Sequence, residues 1–81
     1  MKLVELTDTI IKELVDDADS VSVKEFPSEN DEVNIEVMIP ENQMGKVIGR
    51  QGKTAKSIRT IVQASSYING NKKVNINIDS Y

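Results

Sequence analysis

The chain has 81 residues with one Phe, two Tyr, no Trp, no Cys and no His, and a net charge of −3. A chain of this length makes one domain, residues 1–81, with a modest aliphatic core and little surplus area for a deep pocket. Without Cys or His, disulfides, thiolate nucleophiles and the commonest general base and metal ligand are excluded, and no oxygen cluster suggests a hard-ion site.

No run approaches the roughly 18 apolar residues of a membrane span, and no basic start with an apolar stretch suggests a signal peptide. A cytoplasmic protein is therefore expected. Leu3, Leu6, Ile10, Ile11 and Leu14 recur at helical spacing and predict a helix over about 2–16. It stops at Asp16, Asp17 and Asp19, because acids sit badly at a helix carboxyl end. Val21 and Val23 alternate with Ser22 and Lys24 in a short strand closing at Phe26-Pro27, and Ser28 to Asp31 is a polar turn. Val33, Ile35, Val37 and Ile39 alternate with Asn34, Glu36 and Met38, a strand with one buried face that ends at Pro40.

Glu41-Asn42 can cap a short helix over 42–48, with Met44, Val47 and Ile48 as its apolar members. After Gly49-Arg50-Gln51-Gly52, a second helix carries Ala55, Ile58, Ile61 and Val62 on one face and ends near Ser65. Asn69-Gly70-Asn71 signals a turn, and the last strand points Val74, Ile76 and Ile78 inward. The order is α-β-β-α-α-β. The first two strands pair antiparallel, and the third joins through a helical crossover. The fold class is α+β, a two-layer domain with helices on one face of a three-stranded sheet.

The small net charge hides an asymmetry. Residues 1–41 hold three lysines and twelve acids, whereas residues 42–81 hold seven Lys and Arg and one acid, Asp79. One face meeting phosphate and the other kept soluble explains this, and so does chance clustering. Lys46, Arg50, Lys53, Lys56 and Arg59 crowd the glycine turn with no acid between them. Two glycines three apart allow a tight turn, and the turn opens into a helix whose first amides, at Gly52, Lys53 and Thr54, are expected to face outward and favour phosphate. Val47, Ile48, Ala55 and Ile58 flank it as a possible floor for bases.

A nucleotide-binding P-loop needs glycine five positions before Gly52-Lys53-Thr54, and Val47 stands there; the dinucleotide fingerprint fails at the same valine. Both motifs also follow a strand directly, whereas residues 42–48 read as helix. With no paired carboxylates near the turn, catalysis is not expected.

Val47-Ile48-Gly49-Arg50-Gln51-Gly52, followed by Ile58 and Ile61, resembles the KH-domain signature, whose Gly-x-x-Gly loop clamps about four nucleotides of single-stranded backbone. The element order resembles the type II arrangement. The run from Gly45 to Ala55 is similar to the small bacterial KhpA family, although Ala55 stands where many KH domains have a larger aliphatic. The resemblance implies an RNA chaperone or post-transcriptional regulator that binds single-stranded RNA and needs no cofactor. Gly49, Arg50, Gln51 and Gly52 are then the backbone clamp, Val47, Ile48 and Thr54 are RNA-binding residues beside it, and Lys46, Lys53 and Lys56 are electrostatic supports. Lys72 and Lys73 are weaker candidates, better explained as guards of an edge strand. Lys56 and Arg59 serve as well as a solvated helix face, Ile58 and Ile61 read first as core, and Tyr67 reads first as cover for the helix end. The family also implies pairing, as a homodimer or with a larger Jag-type (KhpB) KH protein, so a protein-interaction module is the rival function.

Overall fold

The computed structural model describes residues 2–81. Helix α1 spans Leu3–Leu14, β1 Ser22–Phe26, β2 Val33–Ile39, α2 Met44–Ile48, α3 Lys53–Asn69 and β3 Val74–Ser80. Three short 3-10 turns punctuate them at Ala18–Ser20, Glu41–Gln43 and Arg50–Gly52. This is the α+β order expected from the sequence. The sheet runs β1-β2-β3, with β1 antiparallel and β3 parallel to the central β2.

The alternation in β2 does what period-two patterning predicts. Ile35, Val37 and Ile39 are buried, while Asn34, Glu36 and Met38 take the open face. Val37 sits between Val23 and Ile78, and Ile35 beside Ile76, so one apolar layer crosses the three strands. The helices close that layer with Ile11, Val47, Ile58 and Val62. A parallel β2–β3 pair needs a long crossover, which α2 and α3 provide.

Several boundaries differ from the sequence expectation. Helix α1 ends at Leu14 rather than near 16, because Val15 is extended at φ −95°, ψ 159°. Its fully buried residues are Thr7 and Ile11. Thr7 tolerates burial because its hydroxyl donates to the Leu3 carbonyl at 2.8 Å. The expected helix over 42–48 begins as a 3-10 turn, and no side chain caps it. Helix α3 runs to Asn69, not Ser65. Its core face is Ala55, Ile58, Val62 and Ser66, so Ile61 is not a core residue; it is 52% exposed. Ser66 continues the apolar face because its hydroxyl donates to the Lys72 carbonyl at 2.5 Å, so this buried polar group is paired.

Candidate nucleic-acid interface

Gly49 to Gly52 form a strained turn between α2 and α3. Gly49 adopts φ 77°, ψ 177°, a region that side-chain-bearing residues avoid, and Gly52 is left-handed at φ 73°, ψ 11°. Gln51, between them, is also left-handed at φ 57°, ψ 26°. The two glycines are required for different reasons. A Cβ at Gly49 meets the Thr54 Oγ1 at 2.2 Å and its Cβ at 2.7 Å, so Thr54 lies directly on the Gly49 backbone. A Cβ at Gly52 meets nothing within 4 Å, and only its dihedral angles favour glycine.

The amides differ from expectation. Gly52 N–H donates to the Gly49 carbonyl at 3.2 Å, and Lys53 N–H donates to the Arg50 carbonyl. The chain closes a 3-10 turn here rather than entering the helix directly, which engages two of the three amides assigned to phosphate. What the turn offers outward is mainly side-chain charge. Arg50, Gln51, Lys53 and Lys56 are all exposed, and none of these cations pairs with a carboxylate among the described residues.

Lys46 is different. Its ammonium pairs with Asp16, just past the end of α1, and the Asp16 amide donates to Gln43 Oε1 at 3.0 Å. The hydrogen bond from Lys46, and then its charge, hold the Asp16 carboxyl below the ordinary carboxylate range. The acidic and basic halves of the sequence therefore meet in space at the edge of the turn. They meet again where Lys72 pairs with Asp31 at 3.1 Å. Lys73 is exposed, and its carbonyl accepts from the Val33 amide at 2.8 Å.

The expected aliphatic floor is not open. Val47 is 0% exposed, and Ala55 and Ile58 are 3% exposed; they hold the turn from beneath, and only Ile48 is partly accessible. An open groove of about 440 Å³ lies further along, between α3 and β3, lined by Lys56, Arg59, Thr60, Gln63, Ala64, Tyr67 and Val74. Arg59 bridges its two sides by donating from Nε to the Ile76 carbonyl at 3.2 Å. Gln63 ties α3 to the start of β3, donating to the Lys72 carbonyl at 3.0 Å and accepting from the Val74 amide at 2.9 Å. Tyr67 stands in the groove wall and is 58% exposed. The clue to this face in the sequence is the helical spacing of Lys56, Thr60, Gln63 and Tyr67, which emerges once α3 is known to reach Asn69.

A family model described as "KhpA/KhpB, KH domain" matches residues 4–78. The chain belongs to this family. Relatives named RNA-binding protein KhpA include one from Clostridium acetobutylicum, 42% identical over 74 residues, 91% of this chain and 96% of that protein. The Clostridium perfringens protein of that name is 45% identical with the same coverage, and the Aquifex aeolicus protein is 47% identical over 62 residues, 76% of this chain and 73% of that protein. The fold is shared with Era of Aquifex aeolicus bound to GDP.AlF4- (TM-score 0.70, 16% identity), of which this chain covers 30% and which covers 98% of this chain. It is shared too with Era in complex with MgGDPNP and a segment of 16S ribosomal RNA (TM-score 0.67, 18% identity), covering 96% of this chain and 29% of that one. These likenesses establish a KH fold, and the order of elements is that of type II.

Proposed function

We propose that this KH-family member binds single-stranded RNA at the Gly49–Gly52 turn and works as an RNA chaperone or post-transcriptional regulator in the cytoplasm, as a binding protein and not a catalyst. The observation that carries this is the strained, exposed turn flanked by Arg50, Lys53 and Lys56, cations with no carboxylate partner among the described residues. Backbone phosphates approach where the glycines leave room, and the cations neutralise them. Lys46 contributes once it leaves Asp16. Val47, Ile48 and Thr54 hold the turn's shape: Val47 from the core, Thr54 against Gly49. Relatives across the family carry the name RNA-binding protein, which agrees with this assignment.

The test is the double variant Arg50→Asp/Gln51→Asp. Both residues are exposed, so the fold should survive, with stability altered by about 0.5 kcal/mol or less. Three units of charge change at the turn oppose phosphate, and binding to a labelled single strand should be lost, while the parent should prefer that strand to a matched duplex. A folded double variant that binds like its parent refutes the assignment.

A second surface supports pairing. Ser57, Ile61, Ala64 and Ile68 form an uncharged stripe on α3, with Ile61 52% and Ile68 83% exposed. We infer that a second copy covers it, because a stripe without charge meets its own two-fold image with no repulsion. A larger KhpB-type KH protein is the alternative occupant suggested by the family's name.

A further inference from the structure

We infer that the free edge of β1 takes an extended, arginine- or lysine-bearing segment of a partner protein as a fourth strand, in the groove between β1 and α1. This stands apart from the RNA assignment, because it concerns the opposite edge of the sheet from β3.

The two edges of the sheet are finished differently. The β3 edge is closed by side chains of α3: Arg59 donates from Nε to the Ile76 carbonyl at 3.2 Å, and Gln63 accepts from the Val74 amide at 2.9 Å. Strand β1 pairs on one side only, with β2, in unbroken register from Ser22 opposite Met38 to Phe26 opposite Asn34. Side-chain bonds reach Ser20 and resume at Ser28, and none among the described residues takes a backbone group of Ser22–Phe26. Along an antiparallel edge, alternate residues turn both N–H and C=O away from the sheet, and such a row is a template for another strand. The usual guards are missing on the groove side. The strand contains no proline, and Lys24, its one lysine, lies on the open face of the sheet with Phe26 and Glu36.

Beside this edge, an open groove of about 410 Å³ is lined by the apolar side chains of Val4, Val21 and Val23 and by the carboxylates of Glu5 and Asp8. Lys12, the cation of the groove, is held by Asp8 at 3.1 Å, so the net charge there is that of Glu5. Strand alternation puts the exposed Glu25 on the same side of β1 as Val23, which extends the acidic character along the edge. Neither Glu5 nor Glu25 has a cation partner among the described residues.

These groups fix the chemistry of the occupant. A nucleic acid is repelled by them. A second copy placed edge to edge brings Glu5 and Glu25 towards their own two-fold images, so self-pairing is disfavoured here. An added strand alternates its side chains between the two faces of the sheet. On the helix side, Arg or Lys lays an apolar stem over Val21 and Val23 and carries its charge to Glu5 and Glu25. On the open face, an apolar residue sits beside Phe26, which is 47% exposed. The segment is therefore an alternation of basic and apolar residues, held chiefly by main-chain hydrogen bonds to β1.

The probe is a fluorescein-labelled peptide, acetyl-Arg-Val-Arg-Val-Arg-Val-Arg-amide, titrated into the intact chain. It should bind, and its Glu-Val counterpart should not. N-methylation of one alternate set of its amides, those facing β1, should abolish binding, whereas methylation of the other set should be tolerated. Hydrogen exchange of the complex should slow amides within Ser22–Phe26 and leave those of Lys53–Asn69 unchanged. Glu5→Gln/Glu25→Gln changes two exposed residues and should weaken binding about 2- to 30-fold, the loss expected for two exposed charge pairs, with circular dichroism confirming the fold. Absence of binding by the parent chain overturns the inference. So does equal binding of both methylated peptides, which reduces the contact to charge attraction, or slowed exchange outside β1, which places the peptide elsewhere. Unchanged affinity in the double variant removes the basis for a basic partner and overturns the inference as well.

Discussion

Replacing Gly49 and Gly52 separately by alanine distinguishes two kinds of glycine that look alike in a Gly-x-x-Gly motif. At Gly52 the new methyl enters open space, so the penalty is the left-handed backbone alone, about 1–2 kcal/mol. At Gly49 the backbone sits at φ 77°, ψ 177°, in a region essentially reserved for glycine, at about 1–3 kcal/mol. The methyl also lands 2.2 Å from Thr54 Oγ1 and 2.7 Å from its Cβ, and such overpacking adds about 1–3 kcal/mol. The total, about 2–6 kcal/mol, is a large share of the roughly 4–12 kcal/mol expected for a domain of this length. Urea denaturation followed by circular dichroism should therefore show a clearly larger loss for Gly49→Ala than for Gly52→Ala. Adding Thr54→Gly removes the overlap and should return part of the loss, with a coupling of about 1–3 kcal/mol in the double-mutant cycle. Equal losses for the two glycines, or no coupling to Thr54, refute the claim that the turn is locked by the Gly49–Thr54 contact.

Other consequences are equally direct. Asp16→Asn frees Lys46 for phosphate and should tighten RNA binding, steepening the salt dependence by somewhat under one unit of log–log slope, whereas Lys53→Ala should flatten it by a similar amount; titrations at several salt concentrations measure both. Because the Asp16 pKa is depressed, its pairing is fully present above the ordinary carboxylate pKa and is lost only as pH falls through the lowered value. The Asp16→Asn gain should therefore be constant from about pH 6 to 8, and a gain that vanishes in that range argues against the ion pair as its cause. Ile61→Asp/Ile68→Asp should yield a folded monomer at concentrations where the parent sediments as a dimer, and a parent that is already monomeric removes self-pairing.

Features set by neighbours along the chain are legible in the residues alone. The alternation from Val33 to Ile39 gives the central strand its buried face, and two glycines among cations mark the turn. What escapes such a reading depends on partners far along the chain or on local exceptions. Lys46 and Asp16 are thirty residues apart, and nothing local announces that they meet. Ser66 and Thr7 are polar residues that occupy core positions because their hydroxyls bond to nearby carbonyls, so a pattern built on apolar residues ends α3 early and misjudges the buried face of α1. Taking Ile61 for core follows from the same truncation. Counting the Gly52 and Lys53 amides as free assumes that an α-helix starts at the turn, when the backbone first closes a 3-10 turn that uses them.

Once α3 is known to run from Lys53 to Asn69, its surface divides into three parallel faces. Ala55, Ile58, Val62 and Ser66 face the sheet. Lys56, Thr60, Gln63 and Tyr67 face the groove. Ser57, Ile61, Ala64 and Ile68 follow each groove residue by one position, which at 3.6 residues per turn places them about 100° further around the helix. Of the residues lining the groove, only Ala64 lies on that stripe; Tyr67, Lys56 and the glycine turn lie outside it. Under the proposed pairing, two chains present two clamps, so a strand that reaches both gains affinity through effective concentration and not through new contacts. A Gly-x-x-Gly clamp alone holds only about four nucleotides in KH domains generally. In that proposed pairing, the helix that shapes the turn also supplies the means of doubling it.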